Sequence, residues 1–202
     1  LEFMEPVSIK ARGAVRLAGG GVIRTTFPVS VSAPYVAIGQ EFRAPLNPAD
    51  PFQPFREFNS GTGGTPAYTL APTPGAGSLT VDARLIDIGT LVTLGASSAR
   101  FNTGNGDIRG NGILSVAGAI SLEASQIYPT TGADFDVFAY DNGLQKGSIS
   151  VVSKSTAALP MSAGGRLGMF ANTISISGNL RAPIGSIVLG WDGDTNTKPN
   201  NA

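Results

Sequence analysis

Apolar and polar positions alternate with a period of two along most of this chain, and the alternation restarts behind a glycine. Gly77 leads into Leu79, Val81 and Ala83, Gly118 into Ile120, Leu122 and Ala124, and Gly147 into Ile149 and Val151. Gly165 leads into Leu167 and Met169, Gly185 into Ile187 and Leu189, and Gly13 opens a fainter copy through Val15 and Leu17. Period two means strands, each with one apolar and one polar face. A unit of about 20 residues holding two or three such strands cannot close a core alone, so successive units must stack and share one. The pattern predicts an all-β chain, a single-stranded parallel β-helix (a solenoid) with three faces per turn and long loop excursions. Its inward ladder is expected to hold Leu79, Val81, Ile120, Leu122, Ile149, Val151, Leu167, Met169, Ile174, Leu180, Ile187 and Leu189, each nearly inaccessible.

The same pattern divides the chain. Val7 to Ile38 reads as short, less regular strands (residues 4–43), with Gly19 to Gly21 and Pro28 at turns. Residues 44–76 change character, with seven prolines among Phe52, Phe55 and Phe58, and read as an excursion. Residues 77–191 hold the regular repeats, interrupted over 130–145 by an extra hairpin or widened turn. One domain over 4–191 results, with 192–202 as a polar tail. Leu1, Glu2 and Phe3 ahead of Met4 are expected to be a cloning remnant, and the whole an internal piece of something longer.

Composition narrows the function classes. Lys plus Arg and Asp plus Glu balance at 14 each, and only 14% of residues are charged. No strong field would draw in nucleic acid. No apolar run reaches the roughly 18 residues of a membrane span, and no signal-peptide pattern opens the chain. There is no Cys and no His, which removes Ser-His-Asp and Cys-His catalysis and most zinc or copper sites. Phosphate-cradling and serine-nucleophile motifs are missing too. No enzyme activity, cofactor or metal is expected.

What chemistry remains is carried by carboxylates and aromatics. Asp134 and Asp136 lie on one side of a strand, either as solvated positions flanking buried Phe135 and Val137 or as the acid–base pair of a polysaccharide hydrolase or lyase. Asp192, Asp194 and Asn196 match only the opening of a calcium loop, because Thr197 stands where the turn glycine is needed. Tyr128, Phe138, Tyr140 and Trp191 offer faces for sugar stacking or fill the core. Irregular excursions offer more specificity than a trunk of Ser and Thr faces. Partner contacts are therefore expected on 44–76 and 130–145, through Phe52, Phe55, Arg56 and Tyr140.

The run from Ala171 through Ile174, Gly178, Leu180 and Ala182 to Leu189 follows A-x-x-I-x-x-x-G-x-L-x-A and resembles the repeats of filamentous-haemagglutinin-type bacterial exoproteins. Gly77 to Ala83, Gly106 to Arg109, Gln126 to Thr131 and Met161 to Gly165 are similar to segments of the same proteins. The resemblance covers residues 75 to 190 well and the first 75 loosely. It implies a right-handed β-helix within a long secreted filament on the bacterial surface, exported by a two-partner system through an outer-membrane transporter. Adhesion to a host-cell surface or glycan, with adjoining repeats of the parent chain as neighbours, is the implied role. The two-partner secretion motif and a toxin-like C-terminus are both missing from this segment.

Overall fold

The computed structural model describes residues 1–17, 19–40, 70–153 and 155–193, and among these the regular structure is all strand. The first courses are β1 (Glu2–Phe3), β2 (Val7–Lys10), β3 (Ala14–Leu17), β4 (Val22–Thr25), β5 (Pro28–Ser32) and β6 (Tyr35–Ile38). After the undescribed stretch come β7 (Thr73–Asp82), β8 (Leu85–Ile88), β9 (Leu91–Asn102), β10 (Asp107–Gly110), β11 (Gly112–Ala117), β12 (Ala119–Glu123) and β13 (Gln126–Pro129). The last are β14 (Asp134–Tyr140), β15 (Ser148–Val152), β16 (Arg166–Ala171), β17 (Thr173–Ser177) and β18 (Ser186–Leu189).

Every pairing between these strands is parallel, and partners lie in successive courses rather than in hairpins. Row one runs β2, β5, β7, the second half of β9, β12, β15, β17. Row two runs β1, β4, the first half of β9, β11, β14, β16, β18. Because β9 passes through both, they form one 13-stranded sheet. Row three, β3, β6, β8, β10, β13, is a separate five-stranded sheet. The chain visits rows two, one and three in turn.

Alternation explains what the rows enclose. In row one Val7, Val29, Leu79, Ala99, Ile120, Ile149 and Ile174 follow one another in register, beside Ile9, Val31, Val81, Phe101, Leu122, Val151 and Ile176. These ladders meet Ile86, Ile108 and Ile127 of row three and Leu114, Val137 and Met169 of row two in one core. Between the apolar ladders the outward positions are Ser8, Ser30, Thr80, Arg100, Ser121, Ser150 and Ser175. The inward set is buried from Leu79 to Met169, but Ile174 and Leu180 are half-buried and Ile187 and Leu189 are 43% and 49% exposed. They point inward, yet no described course lies beyond them.

The recurrent glycine marks places where one course touches the next. A Cβ on Gly118, whose φ is 140°, would run into the Ser97 carbonyl, and one on Gly185 into that of Gly165. The phrase does not mark one corner, however. Gly77 lies within β7, at the register shift that opens its row-one part, Gly118 and Gly147 precede row-one strands, Gly165 and Gly185 row-two strands and Gly13 a row-three strand.

Two courses miss a strand. Row two has none between β4 and β9, which pair directly. Row three has none between β13 and Leu180, where Ile127 bridges Leu180 and its N–H donates to the Asn179 carbonyl at 2.9 Å. The second gap arises because the chain from Ser155 to Gly164 leaves the row without a strand, tied back by the Ser162 hydroxyl on the Pro129 carbonyl at 2.6 Å.

Two expectations change, and the first residues join the strand pairing. The excursion placed at 44–76 ends earlier, since β7 starts at Thr73. Residues 130–145 are no hairpin: β14 is a regular row-two strand, and only 141–147 form a turn around Asn142. Residues 1–3 are built into the stack, with Glu2 and Phe3 opposite Arg24 and Thr25 and Phe3 packed on the core.

Candidate functional site

The outward face of row three carries the densest polar network. Its alternation sends Val36, Ile86, Ile108 and Ile127 inward, so their neighbours Tyr35, Asp87, Asp107, Arg109, Gln126 and Tyr128 stand outside. Arg109 clasps Asp87 with two bonds of 2.7 Å, from Nε to Oδ1 and from Nη2 to Oδ2. The Tyr35 hydroxyl donates to Asp87 Oδ2 at 2.7 Å, and the Arg16 guanidinium lies 5.5 Å from the Tyr35 ring centre. Further along, Asp107 Oδ2 accepts from Gln126 Nε2 at 3.0 Å and from the Tyr128 hydroxyl at 3.2 Å.

Arg16, Tyr35, Asp87 and Arg109, but not the Asp107 group, border a groove of about 260 Å³, with Asn111 and Thr130 at the strand ends. The bidentate Arg109–Asp87 pair fixes the carboxylate, which in turn fixes the Tyr35 hydroxyl. Burial pushes the Tyr35 hydroxyl above its ordinary range, and its bond to Asp87 adds to that. The bond to Asp87 likewise raises Arg109. The result is a rigid array of a ring, two guanidinium groups, a carboxylate and neutral polar groups, suited to holding a small hydroxyl-rich ligand. It is not arranged for proton transfer, since its carboxylate is committed to Arg109. Among the described residues no group of three or more His, Cys, Asp or Glu gathers to hold a metal, and no helix is long and apolar enough to cross a membrane.

The residues singled out by sequence fall elsewhere. Phe52, Phe55 and Arg56 lie outside the described residues, as do Asp194 and Asn196. Asp134 and Asp136 do share the outward side of β14, but they are neither a solvated pair nor an acid–base pair. Asp134 is exposed, while Asp136 is 2% exposed and both its oxygens accept from Arg166 Nη1, at 2.9 and 2.8 Å. A carboxylate so buried and paired is spent on holding β14 to β16.

Tyr140, expected to anchor a partner, is 3% exposed. It belongs to a second apolar cluster on the outward side of row two with Ile113, Phe138 and Phe170, against which Trp191 packs. Phe138 stacks on Phe170 at 4.8 Å, and Trp191 meets Tyr140 edge-on at 4.9 Å. The signal for this cluster was present as unbroken apolar runs, Val137 to Tyr140 and Met169 to Ala171, which mark strands covered on both faces. The groove residues Arg16, Tyr35, Asp87 and Arg109 were missed because they are far apart in the chain, and only the row-three register gathers them.

No protein-family model, curated protein or solved structure matches the chain.

Burial pushes both Tyr128 and Tyr140 up to about 12, with Asp107 adding to the shift at Tyr128 and a bond with Ser115 opposing it at Tyr140. A raised value means the fold favours the neutral phenol. Its contribution to stability is therefore whole below the unfolded value of about 10 and disappears as pH rises through about 12. Thermal melts should be flat from pH 8 to 9.5 and fall steeply between pH 10 and 12, and Tyr140→Phe should flatten part of that fall. An unchanged alkaline profile in Tyr140→Phe would remove Tyr140 from this account.

Proposed function

We propose that the chain is a segment of a right-handed, single-stranded parallel β-helix solenoid that serves as a rigid, adhesive part of a filamentous-haemagglutinin-like protein. On this reading the parent is secreted through an outer-membrane transporter and displayed on the bacterial surface. It binds host-cell surfaces or glycans and has no catalytic activity of its own. The observation that carries the proposal is the pair of inward ladders in row one, unbroken through seven strands from β2 to β17, a design that favours length and stiffness. The groove over Tyr35, Asp87 and Arg109 takes the place of Tyr140 as the contact for a glycan. Its ring, charges and hydroxyls supply stacking and hydrogen bonds at low ordering cost.

Binding of the chain to immobilised host-cell glycans tests this. Asp87→Ala frees Arg109 and the Tyr35 hydroxyl together, and Tyr35→Ala removes the ring. Each is expected to weaken binding by about tenfold or more, the loss of one or two charge-assisted bonds. Ser150→Ala, on the outward side of row one, should bind as the parent does. Equal binding by all of them would show that adhesion does not use this groove, and no binding by the parent chain would overturn the adhesive role of this segment.

A further inference from the structure

We propose that the groove over Tyr35, Asp87 and Arg109 selects glycans that carry a carboxylate, such as a uronate, and takes that carboxylate on the outer edge of the Arg109 guanidinium. The inference rests on the reading of this groove as the glycan contact, and it names the chemistry of the sugar held there. A guanidinium presents two forked edges to a planar anion, one made of Nε and Nη2 and the other of Nη1 and Nη2. Asp87 occupies the first, with both bonds at 2.7 Å. Among the described residues nothing bonds to the second, and the Arg109 side chain keeps 35% of its surface exposed at the border of the groove.

The same end of the groove adds donors. Asn111 follows Arg109 by two residues on the ladder that its N–H continues to the Ile88 carbonyl, so both project to one side. Thr130 stands beside Asn111 in the register that pairs Arg109 with Tyr128, and its N–H donates to the Gly110 carbonyl at 2.9 Å. Among the described residues no side-chain bond ties up the Asn111 amide or the Thr130 hydroxyl, and both residues line the groove. Acceptors are scarcer. Asp87 already receives three bonds, two from Arg109 and one from Tyr35, of the roughly four that a carboxylate can accept. Asp107 stands outside the groove and is bound to Gln126 and Tyr128. Arg16 and Arg109 against Asp87 leave the border with a positive charge in excess. A site rich in donors and short of acceptors favours an anion that only accepts over a neutral sugar whose hydroxyls must also donate. A volume of about 260 Å³ lies just below the roughly 300–1,000 Å³ of sites for larger ligands, which suits one sugar ring and its carboxylate.

Titration calorimetry of the full chain with a glucuronate trisaccharide and with its methyl ester separates charge from ring shape, since esterification removes the charge and leaves the rings alone. The acid should bind about tenfold or more tightly than the ester, and added salt should narrow the gap. Arg109→Gln should bring the acid down to the affinity of the ester, and Arg109→Lys, which keeps the charge without the fork, should retain only part of the preference. Asn111→Ala leaves the Arg109–Asp87 pair in place and should weaken the acid by about threefold or more, so the test does not depend on a variant that disturbs that pair. Acid and ester bound equally, with both weakened by Tyr35→Ala, would overturn the carboxylate preference and leave the glycan groove standing. Tight binding of the acid that neither Arg109→Gln nor Asn111→Ala alters would place the sugar elsewhere and overturn this inference and the groove together, as would no binding of either sugar. Binding of the acid through Arg109 by a chain that does not adhere to immobilised host-cell glycans would uphold the inference and remove the adhesive role.

Discussion

Replacing Leu122 by Asp is expected to leave the chain without a cooperative unfolding transition. Leu122 is fully buried and stands in mid-ladder, with Phe101 on one side and Val151 on the other. Its place is surrounded by the apolar residues of all three rows, and among the described residues no Lys or Arg is buried to meet a carboxylate there. An unpaired buried charge costs several kcal/mol, against a total stability of about 5–15 kcal/mol for a domain. Stacked courses make this worse, because a course that cannot pack removes the support of both its neighbours. The neighbouring Ser121→Asp supplies the control. Ser121 points outward between Arg100 and Ser150, and an added carboxylate there should shift stability by less than about 1 kcal/mol. Circular dichroism and thermal melts of the two proteins settle the register. If Leu122→Asp melts cooperatively while Ser121→Asp does not, the inward and outward sets have been exchanged.

That register is the part of the fold most legible in the sequence. In β12 and β15 the apolar positions alternate with Ser and Glu, and such strands face water on one side only, so a period of two identifies both faces. The last course reads equally well, since its strands and the Leu180 bridge fall where their alternation puts them. Legibility fails where a strand is covered on both sides. In β14 the run Val137 to Tyr140 is apolar throughout, and alternation then cannot say that Asp136 is buried against Arg166 or that Tyr140 is enclosed by Trp191. It fails again where row two lacks a strand, because the direct pairing of β4 with β9 joins residues separated by a long intervening stretch. The groove was hidden for a related reason. Arg16, Tyr35, Asp87 and Arg109 come from four different courses, and each one looks like an ordinary solvated position until the register of row three sets them side by side.

Gly110→Ala is expected to cost about 3 kcal/mol although it adds a single methyl group. Gly110 ends β10, is buried, and lies directly under the Phe135 ring of β14, so that a Cβ there would fall inside the ring. Phe135 is itself fully buried and faces Gly112 in the register of row two. Two glycines thus make the space that one large side chain fills, at the corner where row three passes into row two. Ordinary overpacking costs about 1–3 kcal/mol, and here the ring cannot step aside without displacing β14 from its bonds to β11 and β16. Phe135→Ala alone should cost about 3–5 kcal/mol through the cavity it leaves. The double variant should be less destabilised than the two single effects combined, by about 1 kcal/mol or more, because the new methyl group occupies part of the vacated volume. Urea unfolding of the four proteins measures this coupling. Strictly additive losses would mean that Gly110 and Phe135 do not share one space, and the corner packing between rows three and two would have to be redrawn.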